Sequence, residues 1–344
     1  MGCCSTKPEL SAEVSTNRGP IAYPEKQEEP TVSHTVNAHK DDEPEERVIE
    51  KQEDESESLN KHAPMPDIAT KRHEAPDYLN TNTRATLDKC GPFVYDSEPD
   101  ADLPFLPPYE MENGAYYIGQ WRYGQRHGHG KQLWSDGSIY EGNWADNMAN
   151  GKGRLIHADG DVYEGDWKND KAHGYGIYTH MDGAKYEGEW KEDKQHGHGV
   201  ETWPDDARYE GEYDQGKKNG TGKFYWADGS TYHGQFQNNN IHGKGVYQWA
   251  DGRKYDGDWK NNKMDGYGEF TWNDGRKYVG NYFDDKKHGY GEFVWPDGRK
   301  YKGNWENGKQ HGRGIYIGSG GQEKEGEWNE GKRTKWITEG EKAV

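Results

Sequence analysis

From Tyr117 onward, aromatic, glycine and polar positions recur in a fixed order every 23 residues. In the unit that begins at Tyr255, the run Tyr-x-Gly-x-Trp sets Tyr255, Gly257 and Trp259 at alternate positions, and Gly266, Gly268, Phe270 and Trp272 alternate in the same way. Period-two alternation sends such residues to one face of a strand, so each unit predicts two strands. The polar stretch Lys260 to Asp265 reads as the loop between them. Asp274-Gly275 reads as a tight turn, because Gly accepts positive φ and Asp tolerates it. One unit is therefore a β-hairpin, handed to the next by its Asp-Gly turn. The leading ring stands at Tyr117, Tyr140, Tyr163, Tyr186, Tyr209, Tyr232, Tyr255, Tyr278 and Tyr301. Nine complete units thus fill 117–323, and in a truncated tenth Lys324 replaces the Tyr. A period of this length marks an array in which each unit buries its apolar face only against its neighbours.

Alternating glycines would weaken an ordinary strand; here they make room for large rings over the backbone. The chain holds 14 Trp, 24 Tyr and 7 Phe, enough to replace a layered core in a sequence only 30% hydrophobic. Cross-strand ring pairs contribute roughly 0.2–1 kcal/mol each. The expected fold is all-β: an elongated single-layer antiparallel sheet of stacked hairpins, roughly 85 Å long at about 4.8 Å per strand, preceded by a long disordered tail. A mean hydropathy of -1.36 fits a thin sheet wet on both faces.

The pattern Tyr-x-Gly-x-Trp, His-Gly-x-Gly and Asp-Gly at this spacing resembles the membrane occupation and recognition nexus (MORN) repeat. The resemblance covers about two-thirds of the chain. It implies an antiparallel sheet with an aromatic-lined groove, and a scaffold or tether at membranes and cytoskeletal structures. Departures are local. Asp206 replaces the turn Gly in the fourth unit, and Gly318-Ser319-Gly320-Gly321 and Lys324 mark a C-terminal cap.

Ahead of the array, Met1 to Lys7 matches an N-myristoylation signal, with Gly2 as acceptor and Cys3 and Cys4 as adjoining palmitoylation sites. One myristoyl chain anchors only marginally, whereas a second acyl chain makes the attachment stable. There is no apolar run long enough to span a bilayer and no signal-peptide core. The expected location is the cytoplasmic face of a membrane: plasma membrane, ciliary, or an inner-membrane or cortical compartment. Residues 8–90 read as a disordered acidic linker. Residues 1–110 carry 11 basic and 24 acidic residues, and 111–344 carry 33 and 38, so the acidity belongs to the tail. Residues 91–116 read as an ordered lead-in whose Tyr109 to Glu112 form a half-hairpin covering the sheet edge. Residues 324–344 form the truncated unit and cap, with Trp336 as a packing anchor.

The histidine column His127, His173, His196, His242, His288 and His311 resembles metal ligands until spacing is considered. Its members stand about 10 Å apart along the sheet, whereas zinc ligands converge on one ion. A turn-side hydrogen-bonding role fits better, since Asn150, Asn219 and Asp265 stand in for His; no metal and no cofactor is expected. The Gly-x-Gly elements open no helix and are not phosphate loops. Recurring acids such as Glu141, Glu164, Glu187, Glu210 and Asp256 are spread out and not paired, so no enzyme is expected. Arg253, Lys254, Arg276, Lys277, Arg299 and Lys300 should line up as a basic row for anionic lipid or a partner. Nucleic acid is not expected, because the array is slightly acidic. Tyr209, Tyr232, Tyr255, Trp259, Trp272, Tyr278, Trp295 and Tyr301 form a candidate aromatic groove for a partner's helix or extended peptide. The expected function is a non-enzymatic, membrane-tethered scaffold binding a cytoskeletal or ciliary protein. Its rivals are direct binding of anionic phospholipids and, as the resemblance implies, regulation in trans of a phosphatidylinositol-phosphate kinase.

Overall fold

A computed structural model describes residues 74–337, which fall into two compact units, 74–217 and 218–337. Gly2, Cys3, Cys4 and most of the expected linker lie outside the described residues. The first unit contains the strands from Phe105–Glu110 and Tyr116–Arg122 through Arg208–Asp214, and the second those from Lys217–Tyr225 through Lys332–Trp336. Within each unit every strand pairs antiparallel with its successor, so each is a single-layer sheet of consecutive hairpins.

In the hairpin from Tyr255, Lys254–Lys260 pairs with Lys263–Thr271. Tyr255 faces Phe270, Gly257 faces Gly268 and, after a bulge, Trp259 faces Met264. The connection is shorter than the six-residue loop the sequence suggested. Lys260 pairs with Lys263, and only Asn261 and Asn262 turn the chain, at φ 48° and 68°. Two left-handed residues make the turn whose twist matches the flanking strands, and Asn enters that region at little cost. The opposite turn is wider: Trp272 N–H donates to Arg276 O at 3.0 Å and Gly275 N–H to Trp272 O at 3.1 Å. Gly275 takes φ 89°, and in the fourth unit Asp206 takes that role at φ 67°.

Two devices hold neighbouring hairpins together. The second residue of each short turn clamps the preceding repeat: Asn262 Oδ1 accepts Ile241 N–H at 2.7 Å, while Asn262 N–H donates to Ile241 O at 2.9 Å. Asp170, Asp193 and Asp285 accept from Ala149, Ala172 and Met264 in the same way. The other device is a ladder of rings. Each leading Tyr lies flat over a pair of glycines on adjacent strands; a Cβ on Gly268 would stand 2.5 Å from Tyr255 Cε2. Its hydroxyl donates to the backbone, Tyr255 to Asp258 O at 3.0 Å. Trp259 stands edge-on to Tyr255 at 5.1 Å and Tyr282 does so from the next repeat at 5.2 Å. The series continues through Tyr278, Trp305, Tyr301 and Trp328 to Trp336. In the first unit it runs from Trp121 and Tyr117 through Trp144, Tyr140, Trp167 and Tyr163 to Trp190. Indole N–H groups find carbonyls, Trp259 reaching Gly245 O at 3.1 Å. This ladder is the core.

Residues 81–90, expected to be disordered, form a helix, Thr81–Cys90. Asn80 caps it by accepting Thr83 N–H at 3.0 Å, and Gly91 closes it on Leu87 O. Thr83 Oγ1 donates to Gly137 O at 2.9 Å and Thr86 Oγ1 to Gly160 O at 3.0 Å. Residues one helical turn apart thus reach equivalent turns one repeat apart. Leu79 and Leu87 pack against Ile139, Ile156 and Val162. The helix is too polar to read as one in isolation; docking on the turns stabilises it.

Beyond the helix, the lead-in crosses the sheet face opposite the ladder. Tyr95 stacks on His129 at 3.9 Å, and Arg154 lies over Phe93 at 5.7 Å while pairing with Glu141 at 2.7 Å. Strand Phe105–Glu110 then pairs with Tyr116–Arg122.

Candidate binding surface

The ladder that supports the fold also removes most of the expected groove. Tyr209, Tyr255, Tyr278 and Tyr301 are 0% exposed, Tyr232 1% and Trp259 3%. Single-layer geometry suggested that these rings would be open to a partner. Instead the Trp-position rings of two successive repeats close over each Tyr, and the glycines beneath bring it onto the backbone. Burial also pushes the ionisation of Tyr255, Tyr278 and Tyr301 upward. These six rings are core and not a receiving surface.

Trp272 and Trp295, the other two, remain partly exposed at the wide turns. There they meet half of the basic row. Arg276 lies over Trp272 at 5.2 Å and Arg299 over Trp295 at 5.6 Å, while Arg253 lies over Trp249 at 5.4 Å. Each guanidinium also binds the Asp of its own turn: Asp251 at 2.8 Å, Asp274 at 2.8 Å and Asp297 at 2.6 Å. Arg276 holds the Asp274 carboxyl below its usual range through a hydrogen bond, and Arg253 does the same for Asp251. The second unit therefore carries three successive Trp-Asp-Arg clusters, one repeat apart.

The lysines of the row lie apart from those clusters and are neutralised locally. Lys254 stands 3.6 Å from Asp256, Lys277 2.7 Å from Glu269 and Lys300 3.5 Å from Glu292. With every expected cation beside a carboxylate, the row alternates in sign and is not a positive stripe.

Of the histidines, His127 Nδ1 accepts Asp146 N–H at 3.3 Å. Asp265 takes the same role toward Asp284 N–H, so this position serves the neighbouring turn. Burial, followed by Arg122, lowers the His127 pKa. His129, two residues further on, is covered by Tyr95. Among the described residues no group of His, Cys, Asp and Glu could hold a metal ion, and no helix is long and apolar enough to cross a membrane.

Sequence reasoning missed the second position after each short turn. It holds Arg126, Ala149, Ala172, Gln195, Lys218, Ile241, Met264, Lys287 and Gln310 in successive repeats. Most of these side chains fill the space between ring pairs. Arg126 does so while bonding Gln132 and the Asn147 carbonyl and lying 4.4 Å over Trp144; burial lowers its pKa to about 10. The signal available in the sequence was weak, an apolar residue at four of the nine copies: Ala149, Ala172, Ile241 and Met264.

A family model described as MORN repeat matches nine consecutive segments, 117–139, 140–162, 163–185, 186–208, 209–231, 232–252, 255–275, 278–298 and 301–323. No curated relative matches the sequence. Among solved structures, the TCP domain of Drosophila melanogaster SAS-4 (dCPAP), in complex with a proline-rich motif of Ana2, is 15% identical. The alignment covers 56% of this chain and 98% of that one, with a TM-score of 0.26. The wild-type TCP10 domain of Danio rerio CPAP is 14% identical over 67% of this chain and 98% of that one, with a TM-score of 0.24. Likeness at this level carries no inference about this chain.

Proposed function

The chain belongs to the MORN repeat family, and from that premise we propose that it is a non-enzymatic scaffold. Its turn edge binds a cytoskeletal or ciliary protein, and acyl chains on Gly2, Cys3 and Cys4 tether it to the cytoplasmic face of a membrane. The observation that carries the binding half is the trio Trp249/Arg253, Trp272/Arg276 and Trp295/Arg299. Trp and Arg dominate the energetics of protein interfaces, and here they recur at fixed spacing on rigid turns, partly exposed and prestacked. A surface whose charges are already paired favours a protein partner over an anionic bilayer, because little net positive field is left to attract head groups. The tether rests on the sequence of Met1 to Lys7.

Proximity labelling with the full chain tests the binding half. Trp272→Ala combined with Arg276→Ala should deplete the same partners that are lost when the whole array is deleted. An unchanged partner set would count against the turn edge. Metabolic labelling with an alkyne myristate tests the tether: label should enter the wild-type chain and not Gly2→Ala. An unlabelled, intact wild-type chain refutes it.

A further inference from the structure

Lys287 occupies the second position after the short turn in the eighth repeat, across the ladder from Tyr282. Its Nζ is enclosed by Phe293 at 4.7 Å, Trp305 at 4.9 Å, Trp272 at 5.1 Å and Tyr278 at 5.3 Å. Among the described residues no carboxylate pairs with it. The charges on the surrounding elements are directed elsewhere or repel it. Asp284 pairs with Lys263, and Asp285 accepts Met264 N–H. Glu292 pairs with Lys300 and Lys302 on the opposite face. Arg276, on the turn that carries Trp272, disfavours a second cation, and Lys286 adds another positive charge on the same strand. The side chain is still partly exposed. Four rings stabilise an ammonium by their quadrupoles, but they also strip its water and offer no hydrogen-bond acceptor.

We propose that Lys287 is a modification site, an amine acylated directly by acyl thioesters. The neutral amine attacks the thioester carbonyl, forming a C–N bond. The C–S bond then breaks, the thiolate leaves with the electron pair, and the amine proton passes to water. The product is an uncharged amide. The array shows that its chemistry fits this slot, because Gln195 and Gln310 present a side-chain amide at the equivalent position and Ile241 and Met264 an apolar chain. Acylation replaces a poorly solvated cation with a group that neighbouring repeats already hold.

The reactivity gain has an expected size. Desolvation, with Arg276 adding to it, lowers the Lys287 pKa to about 8. Near pH 7.5 about a quarter of such an amine is neutral, against about 0.1% of an ordinary lysine. The weaker intrinsic nucleophilicity of a less basic amine takes back roughly tenfold, by analogy with thiols, leaving an advantage of about twentyfold. Full-length protein is incubated with acetyl-coenzyme A at pH 7.5, and acetylation at each lysine is timed by peptide mass spectrometry. Lys287 should be modified at least tenfold faster than Lys254, Lys277 and Lys300, which pair with carboxylates. Trp272→Ala opens the cage at a turn, and circular dichroism checks that the sheet is retained. That variant should slow Lys287 toward the other lysines. The proposal is overturned if Lys287 reacts no faster than its ion-paired counterparts, or if the rate advantage survives Trp272→Ala.

Discussion

Substituting Gly268 by Ala probes the central packing claim, that the glycine columns exist to seat the tyrosines. The new Cβ would lie 2.5 Å from Tyr255 Cε2 and Oη and 2.6 Å from Cζ, about 1 Å inside a normal carbon–carbon contact. The ring has little freedom to yield, being fully buried, bonded to Asp258 O and held edge-on by Trp259 and Tyr282. If the backbone moves, overpacking costs about 1–3 kcal/mol. If the ring is expelled, a hydrogen bond worth about 1 kcal/mol and two ring contacts worth about 1 kcal/mol each are lost together with burial. We expect about 3 kcal/mol. Gly298→Ala is the control, since φ there is 83° with nothing within 4 Å of the added Cβ; backbone strain alone should cost about 1 kcal/mol. In a repeat array a global melting point blurs local effects, so the assay is amide exchange in Lys254–Lys260 and Lys263–Thr271, supported by urea unfolding. A second arm places Gly268→Ala in a Tyr255→Ala background, where its cost should fall below about 1 kcal/mol. Equal costs at Gly268 and Gly298, or a cost indifferent to Tyr255, would refute the seating argument.

Two further predictions concern charges buried by the repeat. Burial raises the Asp193 carboxyl to about 6, so the folded state binds the extra proton and its penalty is fully present above about pH 6. Asp193→Asn, which reproduces the clamp residue found at Asn147, Asn239 and Asn262, should stabilise by about 1 kcal/mol at pH 7 after allowance for solvent screening. That gain should vanish as pH falls below the unfolded value near 4, as measured by urea titration at both pH values. Lys287 has the opposite sign. Its folded pKa is depressed, so the unfolded chain binds more protons between about pH 8 and 10.5, and stability rises with pH across that window. Lys287→Met, copying Met264, should stabilise by about 1–3 kcal/mol at pH 7, with the advantage shrinking at pH 10 in the same titration; a pH-independent effect would mean that the cage does not destabilise the ammonium.

The repeating hairpin, its strand pairing and the presence of an Asp-Gly turn were legible in the sequence, because period-two alternation and turn chemistry are local properties; which of the two turns is the tighter was not. Even Asp206 kept its turn, since Asp tolerates the left-handed conformation that Gly would take. The fate of each ring was not legible. Tyr255 and Trp272 look alike as aromatic residues in one repeat, yet one is sealed between Trp-position rings of successive hairpins and the other stands half open beside Arg276. Closing Tyr255 takes a ring from the next repeat, Tyr282, 27 residues along the chain. The helix Thr81–Cys90 was hidden for the same reason: its composition is that of a solvated linker, and its partners are carbonyls of turns it meets only in the folded chain. Lys287 shows the limit most clearly. On paper it is one lysine among many, and only the convergence of rings from four different strands and turns sets its chemistry apart. Sequence alone determined the hairpin period and the faces of its strands; tertiary packing decided which rings are core, which are surface and which lysine is enclosed by rings, because burial and pairing belong to neighbours in space and not along the chain.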